Sequence, residues 1–187
     1  MTDELTERTQ CRLQTVRAMK MFAFGFLTSV ILIVIGAWVY LEAGFIDMRS
    51  DEDPPAWESR LMYSAVHASV HRLAPKLQCP FPITDELLIA SGKLYLDDCV
   101  VCHVAPGKPP SDFGATFYPR APQFPQIGTQ YSEAEVFWIA KHGIRRTGMH
   151  PQAPFYSDDK LWSLAAFIAR ANHLPPTVVK GLQLESH

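Results

Sequence analysis

The chain has 187 residues and a formal net charge of -2 at pH 7. This length suits one domain of ordinary size with an appendage, and the near-neutral charge gives no reason to expect a nucleic acid as a partner. Fifteen prolines, concentrated after residue 53, favour a loop-rich fold with short helices over a regular helical bundle.

The first predicted element is an uncharged run from Met21 to Leu41. At about 1.5 Å rise per residue, a helix of this length spans the roughly 30 Å hydrocarbon core of a bilayer. Basic residues precede the run and acidic residues follow it, which places residues 1–20 in the cytoplasm and the remainder across the membrane. We therefore predict a transmembrane signal anchor over residues 21–43 of a single-pass protein in a bacterial inner membrane, with a periplasmic C-terminal part.

A cleaved signal peptide and a buried core helix are the alternatives to this anchor. The apolar run exceeds the usual h-region of roughly 7–15 residues, and no convincing small-x-small cleavage site follows it. The run is also apolar all round, which is typical of contact with lipid. Small residues along it would let another helix pack closely, namely Gly25, Thr28, Ser29 and Gly36.

Residues 44–83 are predicted to form a periplasmic tether. Charged and proline-stiffened residues 51–55 precede a predicted helix over 57–73. Its apolar stripe consists of Trp57, Leu61, Ala65, Val66 and Val70. His67 and His71 share one face of that helix, but no zinc motif surrounds them, so an ordinary surface pair is the favoured interpretation.

The most informative motif is Cys99-Val100-Val101-Cys102-His103. Two thiols at this spacing can each add to one vinyl group of a haem, and the histidine then lies beneath the iron. A thioredoxin-like dithiol would need a βαβ setting that is not found here, and a zinc site would need a second ligand pair, whereas Cys11 and Cys79 are lone. We predict one covalently attached haem c, with Cys99 and Cys102 as attachment points. Cys79 is interpreted as a plain buried thiol, with an intermolecular contact as the alternative.

Residues 84–172 are predicted to form the haem domain. Thr84 is suited to cap a first helix, which carries acidic residues in its first turn. Ser132 and Glu135 form a capping box at the start of a second helix, and a third helix begins near Ser157. Between the first two helices, residues 104–130 are rich in proline and glycine. This segment is predicted to wrap the haem with apolar side chains, which are Phe113, Phe117, Tyr118, Phe124 and Ile127.

Met149 is predicted to be the sixth ligand of the iron. It follows Gly148 in a turn-rich stretch between the second and third helices. A thioether opposite a histidine raises the reduction potential and fills the position where a substrate would bind. Met48 and Met62 also lie beyond the membrane, but they belong to the tether or its surroundings.

Taken together, these features resemble class I cytochrome c in its membrane-anchored bacterial form. The resemblance covers about residues 84–172 and is carried by CVVCH, the Pro/Gly-rich loop, His142-Gly143-Ile144, Thr147-Gly148-Met149 and residues 161–168. It implies an all-α class I cytochrome c fold of short helices around one covalently bound haem, preceded by a single transmembrane helix. Within it, Gly92 and Tyr95 of the first helix would meet the last helix around Leu164 and Phe167.

The resemblance also implies a function, which is one-electron transfer with His103 and Met149 as the axial ligands. We expect a membrane-tethered carrier, the cytochrome c subunit of a larger respiratory or periplasmic oxidoreductase complex, without catalytic residues of its own. Its expected partners are redox proteins, other subunits of that complex and membrane lipid. One departure from the family pattern is His150, which stands where a proline often follows the methionine. Ligation of the iron by His150 is therefore a minor alternative to ligation by Met149.

The alternative function is a haem enzyme or gas sensor with an open or labile sixth coordination site. Peroxidase chemistry would need a distal acid-base group, for which His142 and His150 are the nearby candidates. A basic rim of Lys141, Arg145 and Arg146 around Met149 would attract an acidic partner, although three solvated side chains explain the pattern equally well. The sequence leaves open whether the tail, residues 173–187, is ordered.

Overall fold

The computed structural model describes residues 2–49, 51–76 and 78–184, with side chains from residue 16 onward. Within these ranges all regular structure is helical and no strand is present. The chain divides into two compact units, Met1–Met48 and Arg49–His187. The predicted all-α class is confirmed.

The N-terminal unit consists of helix α1, Thr2–Glu42. Among the described residues, its stretch Val16–Glu42 is long and apolar enough to cross a membrane, and the apolar window is fully exposed. The hydroxyls of Thr28 and Ser29 donate to backbone carbonyls four residues earlier, each at 2.9 Å, so both polar groups are satisfied inside the helix. These properties fit a membrane span, and a signal sequence near an N-terminus meets the same criteria.

The second unit contains the remaining helices of the described chain. They are α2 (Ala56–Leu73), α3 (Asp85–Asp98), α4 (Val100–His103), α5 (Asp112–Ala115), α6 (Phe124–Ile127), α7 (Glu133–His142), α8 (Asp158–Ile168) and α9 (Pro176–Gly181). Helices α5 and α6 are single turns within the segment that the sequence predicts as a loop. The longer helices α3, α7 and α8 supply most of the core.

The predicted helix starts are confirmed where a side chain caps the backbone. Thr84 Oγ1 accepts a hydrogen bond from the N–H of Leu87 at 3.2 Å. At the start of α7, Ser132 Oγ accepts from the Glu135 N–H at 3.4 Å, and the Glu135 carboxylate accepts from the Ser132 N–H at 2.8 Å. This reciprocal pair is the predicted capping box. Ser157 occupies the cap position of α8 without a side-chain hydrogen bond.

Helix α8 lies at the centre of the core and packs against both α3 and α7. Every residue from Leu161 to Ile168 is buried. Towards α7, the rings of Phe137 and Trp162 stack with their centroids 4.2 Å apart. Towards α3, the ring of Tyr95 lies 5.3 Å from that of Phe167, which confirms the predicted crossing of these helices.

Helix α9 extends this core over the outer side of α3. Val178 and Leu182 are buried, and Gly181 lies against the side chain of Ile89. The hydroxyl of Thr177 hydrogen-bonds the carboxylate of Asp85, the first residue of α3. The described part of the C-terminal segment, whose order the sequence left open, therefore packs as an integral layer.

Helix α2 packs against α7 within the second unit, so this part of the predicted tether is not a free linker. The apolar stripe seen in the sequence divides between two environments. Val70 is buried and Val66 is half-buried, whereas Trp57, Leu61 and Ala65 are exposed. The face of α2 that packs on the core therefore contains Val66 and Val70 but not Trp57, Leu61 and Ala65.

Gly92 provides a test of the α3–α8 crossing. A Cβ added there would lie 2.8 Å from Cε2 of the buried Phe167 ring and 2.6 Å from Cδ1 of Leu182. We predict that Gly92→Val lowers the free energy of unfolding by about 1–3 kcal/mol, the usual cost of overpacking a core, measured by chemical denaturation. Lys93→Val, on the exposed next residue, is the control for the branched side chain; equal effects of the two changes would contradict the close crossing.

Candidate functional site

The CVVCH motif occupies the junction between α3 and α4. The N–H groups of Cys102 and His103 donate to the carbonyl of Cys99 at 3.2 and 2.9 Å, which forms one helical turn. Both thiols are free and half-buried. The motif thus places two thiols and an imidazole on a single turn, as its spacing predicts.

Tyr95 holds the end of this turn. Its hydroxyl, fully buried, hydrogen-bonds the carbonyl oxygens of His103 at 2.9 Å and Val104 at 2.8 Å. Val104 has a φ of 58°, a left-handed conformation that is strained for a β-branched residue. The tyrosine contact stabilises the sharp exit of the chain from the motif. Sequence analysis assigned Tyr95 to helix packing alone and missed this role.

The ring of His103 is oriented by two neighbours. Its Nδ1 lies 2.8 Å from the carbonyl oxygen of Pro122, and the ring stacks on Phe124 with centroids 4.7 Å apart. Because a carbonyl only accepts, Nδ1 carries the proton and Nε2 keeps its lone pair. Burial lowers the pKa of His103 by more than the Pro122 hydrogen bond raises it, which favours the neutral imidazole that binds metals.

The two thiols lack the property of a redox-active pair. Burial raises the pKa of Cys99 to about 12, with smaller contributions from Asp98 and Cys102. Burial also raises the pKa of Cys102. Nucleophilic and redox-active cysteines have lowered pKa values, since the thiolate is the reacting form. The raised pKa values of these buried thiols therefore agree with the sequence-based preference against a thioredoxin-like site.

The segment after the motif folds back onto it. Gln123 Nε2 donates to the Cys102 carbonyl at 3.0 Å, and its Oε1 accepts from the Ser111 N–H at 3.2 Å. The hydroxyl of Ser111 donates to the carbonyl of Val101. Gly114 packs directly on the Cys102 carbonyl oxygen, where any Cβ would collide. No sequence pattern identified Gln123 as the residue that joins the motif to the segment that follows it.

Met149 lies at the end of a tight turn that follows α7. Its carbonyl accepts from the Ile144 N–H at 2.9 Å, and its N–H donates to Thr147 Oγ1 at 3.1 Å. Gly143 has a φ of 66°, and a Cβ there would lie 2.6 Å from the Met149 carbonyl oxygen. The half-buried methionine is thus presented by a turn that is held by hydrogen bonds on both sides of its peptide unit.

One segment contacts both the motif and this turn. Within residues 111–117, Gly114 packs on Cys102, and the ring of Phe117 lies where a Cβ on Gly148 would approach to 2.7 Å. The lack of a side chain at Gly148 thus allows the Phe117 ring to pack directly on the backbone of this turn. The structure therefore joins the turns that carry His103 and Met149 through a single stretch of chain.

The remaining candidate residues lie in exposed positions. His150 is exposed, with its ring edge-on to Phe155 at 6.0 Å, and His142 is exposed beside Trp138. Met48 and Met62 are also exposed. Met48 and Met62 therefore belong to other parts of the chain, whereas His150 directly follows Met149 and directs an exposed side chain away from the core.

A cavity of about 660 Å³ lies elsewhere, between the end of α2 and the start of α7. Its lining includes Cys79, His71 and Glu135, and no residue of CVVCH or of the Met149 turn. His71 forms an ion pair with Glu135, while Cys79 is a free, half-buried thiol packed against the core. In the described residues, no group of three or more His, Cys, Asp or Glu side chains is placed to hold a metal ion.

Residues 89–168 match the family model described as cytochrome C oxidase, cbb3-type, subunit III. The fold is that of class I cytochrome c. The matched segment runs from α3 through α8 and includes both CVVCH and Met149. No curated protein matches the chain. A cytochrome c domain implies binding of haem c and haem-based electron transfer.

The residues of this cytochrome c domain fit a haem. His103 offers an uncommitted ring nitrogen, Met149 a thioether, and Cys99 and Cys102 two free thiols. The surrounding apolar side chains of Val101, Phe113 and Ile127 are exposed, which suits them to cover a flat apolar macrocycle. They come from the motif and from the segment predicted to wrap the haem.

Gly114→Ala tests the packing of the following segment on the motif. Because the added methyl would lie only 2.1 Å from the Cys102 carbonyl oxygen, the segment must move away. We predict a loss of about 1–3 kcal/mol in the free energy of unfolding and a lower haem-to-protein ratio, measured by denaturation and by absorbance of the purified protein. Ala115→Ser, on an exposed neighbour, should change neither; a fully loaded and equally stable Gly114→Ala protein would contradict this packing.

Proposed function

We propose that this chain is a membrane-tethered one-electron carrier with a single haem c. Cys99 and Cys102 hold the haem covalently, and His103 and Met149 are its axial ligands. The observation that carries the proposal is the state of His103 inside the matched cytochrome c domain: Pro122 binds Nδ1 and leaves Nε2 for the iron. When bound, the haem supplies a one-electron Fe(III)/Fe(II) couple.

The side chains around the site have positioning roles in this proposal. Tyr95 and Gln123 hold the backbone of the motif, while Pro122 and Phe124 fix the plane of the His103 ring. The turn from Gly143 to Met149 presents the thioether. Nitrogen and sulfur ligands together leave no coordination site for a substrate, which favours electron transfer over catalysis on the haem.

The proposal extends to the place of this carrier in the cell. Helix α1 is the anchor in a bacterial inner membrane, with residues 1–20 in the cytoplasm and the cytochrome c domain in the periplasm. The matched family model describes an oxidase subunit, which supports the chain's role as the cytochrome c subunit of a larger respiratory or periplasmic oxidoreductase. The redox partners are then other proteins of that complex.

Met149→Ala tests the axial ligand. The far-red absorption band of the ferric protein, which arises from sulfur ligation, should disappear, and the reduction potential should fall because the soft thioether is lost. Spectroscopy and redox titration measure both quantities. His150→Ala is the matched control and should keep the band. A band that survives in Met149→Ala would contradict ligation by Met149 and assign it to another sulfur. A wild-type ferric protein without the band would instead favour the haem enzyme or gas sensor with a labile site.

Two of the three residues of the predicted basic rim, Arg145 and Arg146, remain available to attract a partner. Lys141 pairs with Asp158 at 2.7 Å and lies over the Phe137 ring. Arg145 and Arg146 are exposed, and neither forms an ion pair within the described chain. We propose that these two arginines raise the encounter rate with an acidic redox partner.

The double charge reversal Arg145→Glu/Arg146→Glu tests this rim with ferrocyanide as an anionic electron donor. Because an attractive field becomes repulsive, we predict that reduction of the ferric protein slows about 10-fold at low salt and that added salt then accelerates it. Stopped-flow absorbance measures the rate. The control Lys93→Glu/Lys180→Glu changes the net charge equally on α3 and α9; the same slowing in both variants would contradict a local rim.

A further inference from the structure

Helix α2 has two faces of different chemistry, and the polar face is the one that makes hydrogen bonds and ring contacts with residues 118–135. Ser59, Tyr63, His67 and His71 follow each other at intervals of four and therefore form one stripe. Ser59 Oγ lies 2.5 Å from the Tyr118 hydroxyl. Gln130 Nε2 donates to the Tyr63 hydroxyl at 2.6 Å.

The same stripe continues towards the end of α2. The His67 ring stacks on Tyr131 with centroids 4.8 Å apart, and His71 Nδ1 contacts the carboxylate of Glu135, which belongs to the α7 capping box. Val70, on the same side, is buried. These contacts fix the rotation of α2 about its own axis.

The opposite face is apolar, and its residues are about as exposed as Tyr63 of the polar stripe, at 57%. Trp57, Leu61, Ala65 and Ala68 occupy successive turns of one stripe and are all exposed, with Trp57 at 63% and Leu61 at 54%. Met62 and Leu73 add exposed apolar surface beside it. Arg72, also exposed, follows Ala68 on the next turn of this stripe.

The chain itself limits how far this face can be from the anchor. Residues 43–55 connect the end of α1 to the start of α2 and reach about 45 Å even when fully extended. A stripe that begins with tryptophan, continues with aliphatic side chains and ends with arginine has the composition of helices that lie in the lipid headgroup region. The arginine stem covers apolar surface while its guanidinium meets phosphate.

We propose that the apolar stripe of α2, from Trp57 to Arg72, binds the phospholipid surface of the membrane that α1 crosses. This inference rests on the membrane anchoring stated under the proposed function. The polar stripe holds the cytochrome c domain to α2, and the apolar stripe holds α2 to the headgroups. The domain is then kept at the membrane surface and is not released to the end of a flexible tether.

Photo-crosslinking of the full-length holoprotein in its native membrane tests this contact. Leu61, and in a second variant Ala65, is replaced by p-benzoylphenylalanine; both side chains are exposed, so the fold is retained. Phe155, which is 67% exposed and lies near the Met149 turn, receives the same residue as a matched control. We expect a phospholipid adduct, identified by peptide mass, from positions 61 and 65 and not from position 155.

Three results would overturn the inference, and two further measurements on the same samples separate it from the proposed function. A protein adduct, a second copy of this chain as the main adduct, or no adduct from positions 61 and 65 contradicts lipid contact. A carbonate wash that releases the protein contradicts the anchor and the stripe together. Lipid adducts from a protein without a six-coordinate haem spectrum would support the stripe and contradict the electron-carrier proposal alone.

Discussion

The imidazole of His103 is held between the Pro122 carbonyl, 2.8 Å from Nδ1, and the ring of Phe124. The hydrogen bond to the Pro122 carbonyl decides which nitrogen of His103 is protonated, so it decides which nitrogen can bind iron. It also requires the chain after the motif to return to it, which Gln123 secures through the Cys102 carbonyl. The strained backbone at Val104, held by the buried Tyr95 hydroxyl, begins that return.

The same returning segment links the proposed axial ligands mechanically. Gly114 packs on Cys102, and Phe117 packs on Gly148, beside Met149. Behind them, α3 and α8 cross at Gly92 and Phe167, and α9 closes the outer side of α3. The proposed haem site therefore rests on a small core whose helices approach closely at Gly92 and Gly181.

Local features of this fold were predictable because their causes lie within a few residues. The capping box of Ser132 and Glu135 and the single turn of CVVCH depend on neighbours in the chain. The carbonyl of Pro122 and the amide of Gln123 were not predictable, since a backbone oxygen has no sequence pattern and both partners are distant. For α2, apolar periodicity predicted a helix but not its packed face, because tyrosine and histidine contacts with residues 118–135 set its rotation.

The central claim is that a haem is bonded to Cys99 and Cys102 within the cytochrome c domain. The most direct test is the intact mass of the purified protein after denaturation and extraction with acidified acetone. The account predicts the mass of the polypeptide plus one haem, and loss of that added mass in Cys99→Ser/Cys102→Ser. A polypeptide of unmodified mass, with all its haem in the extract, would contradict it.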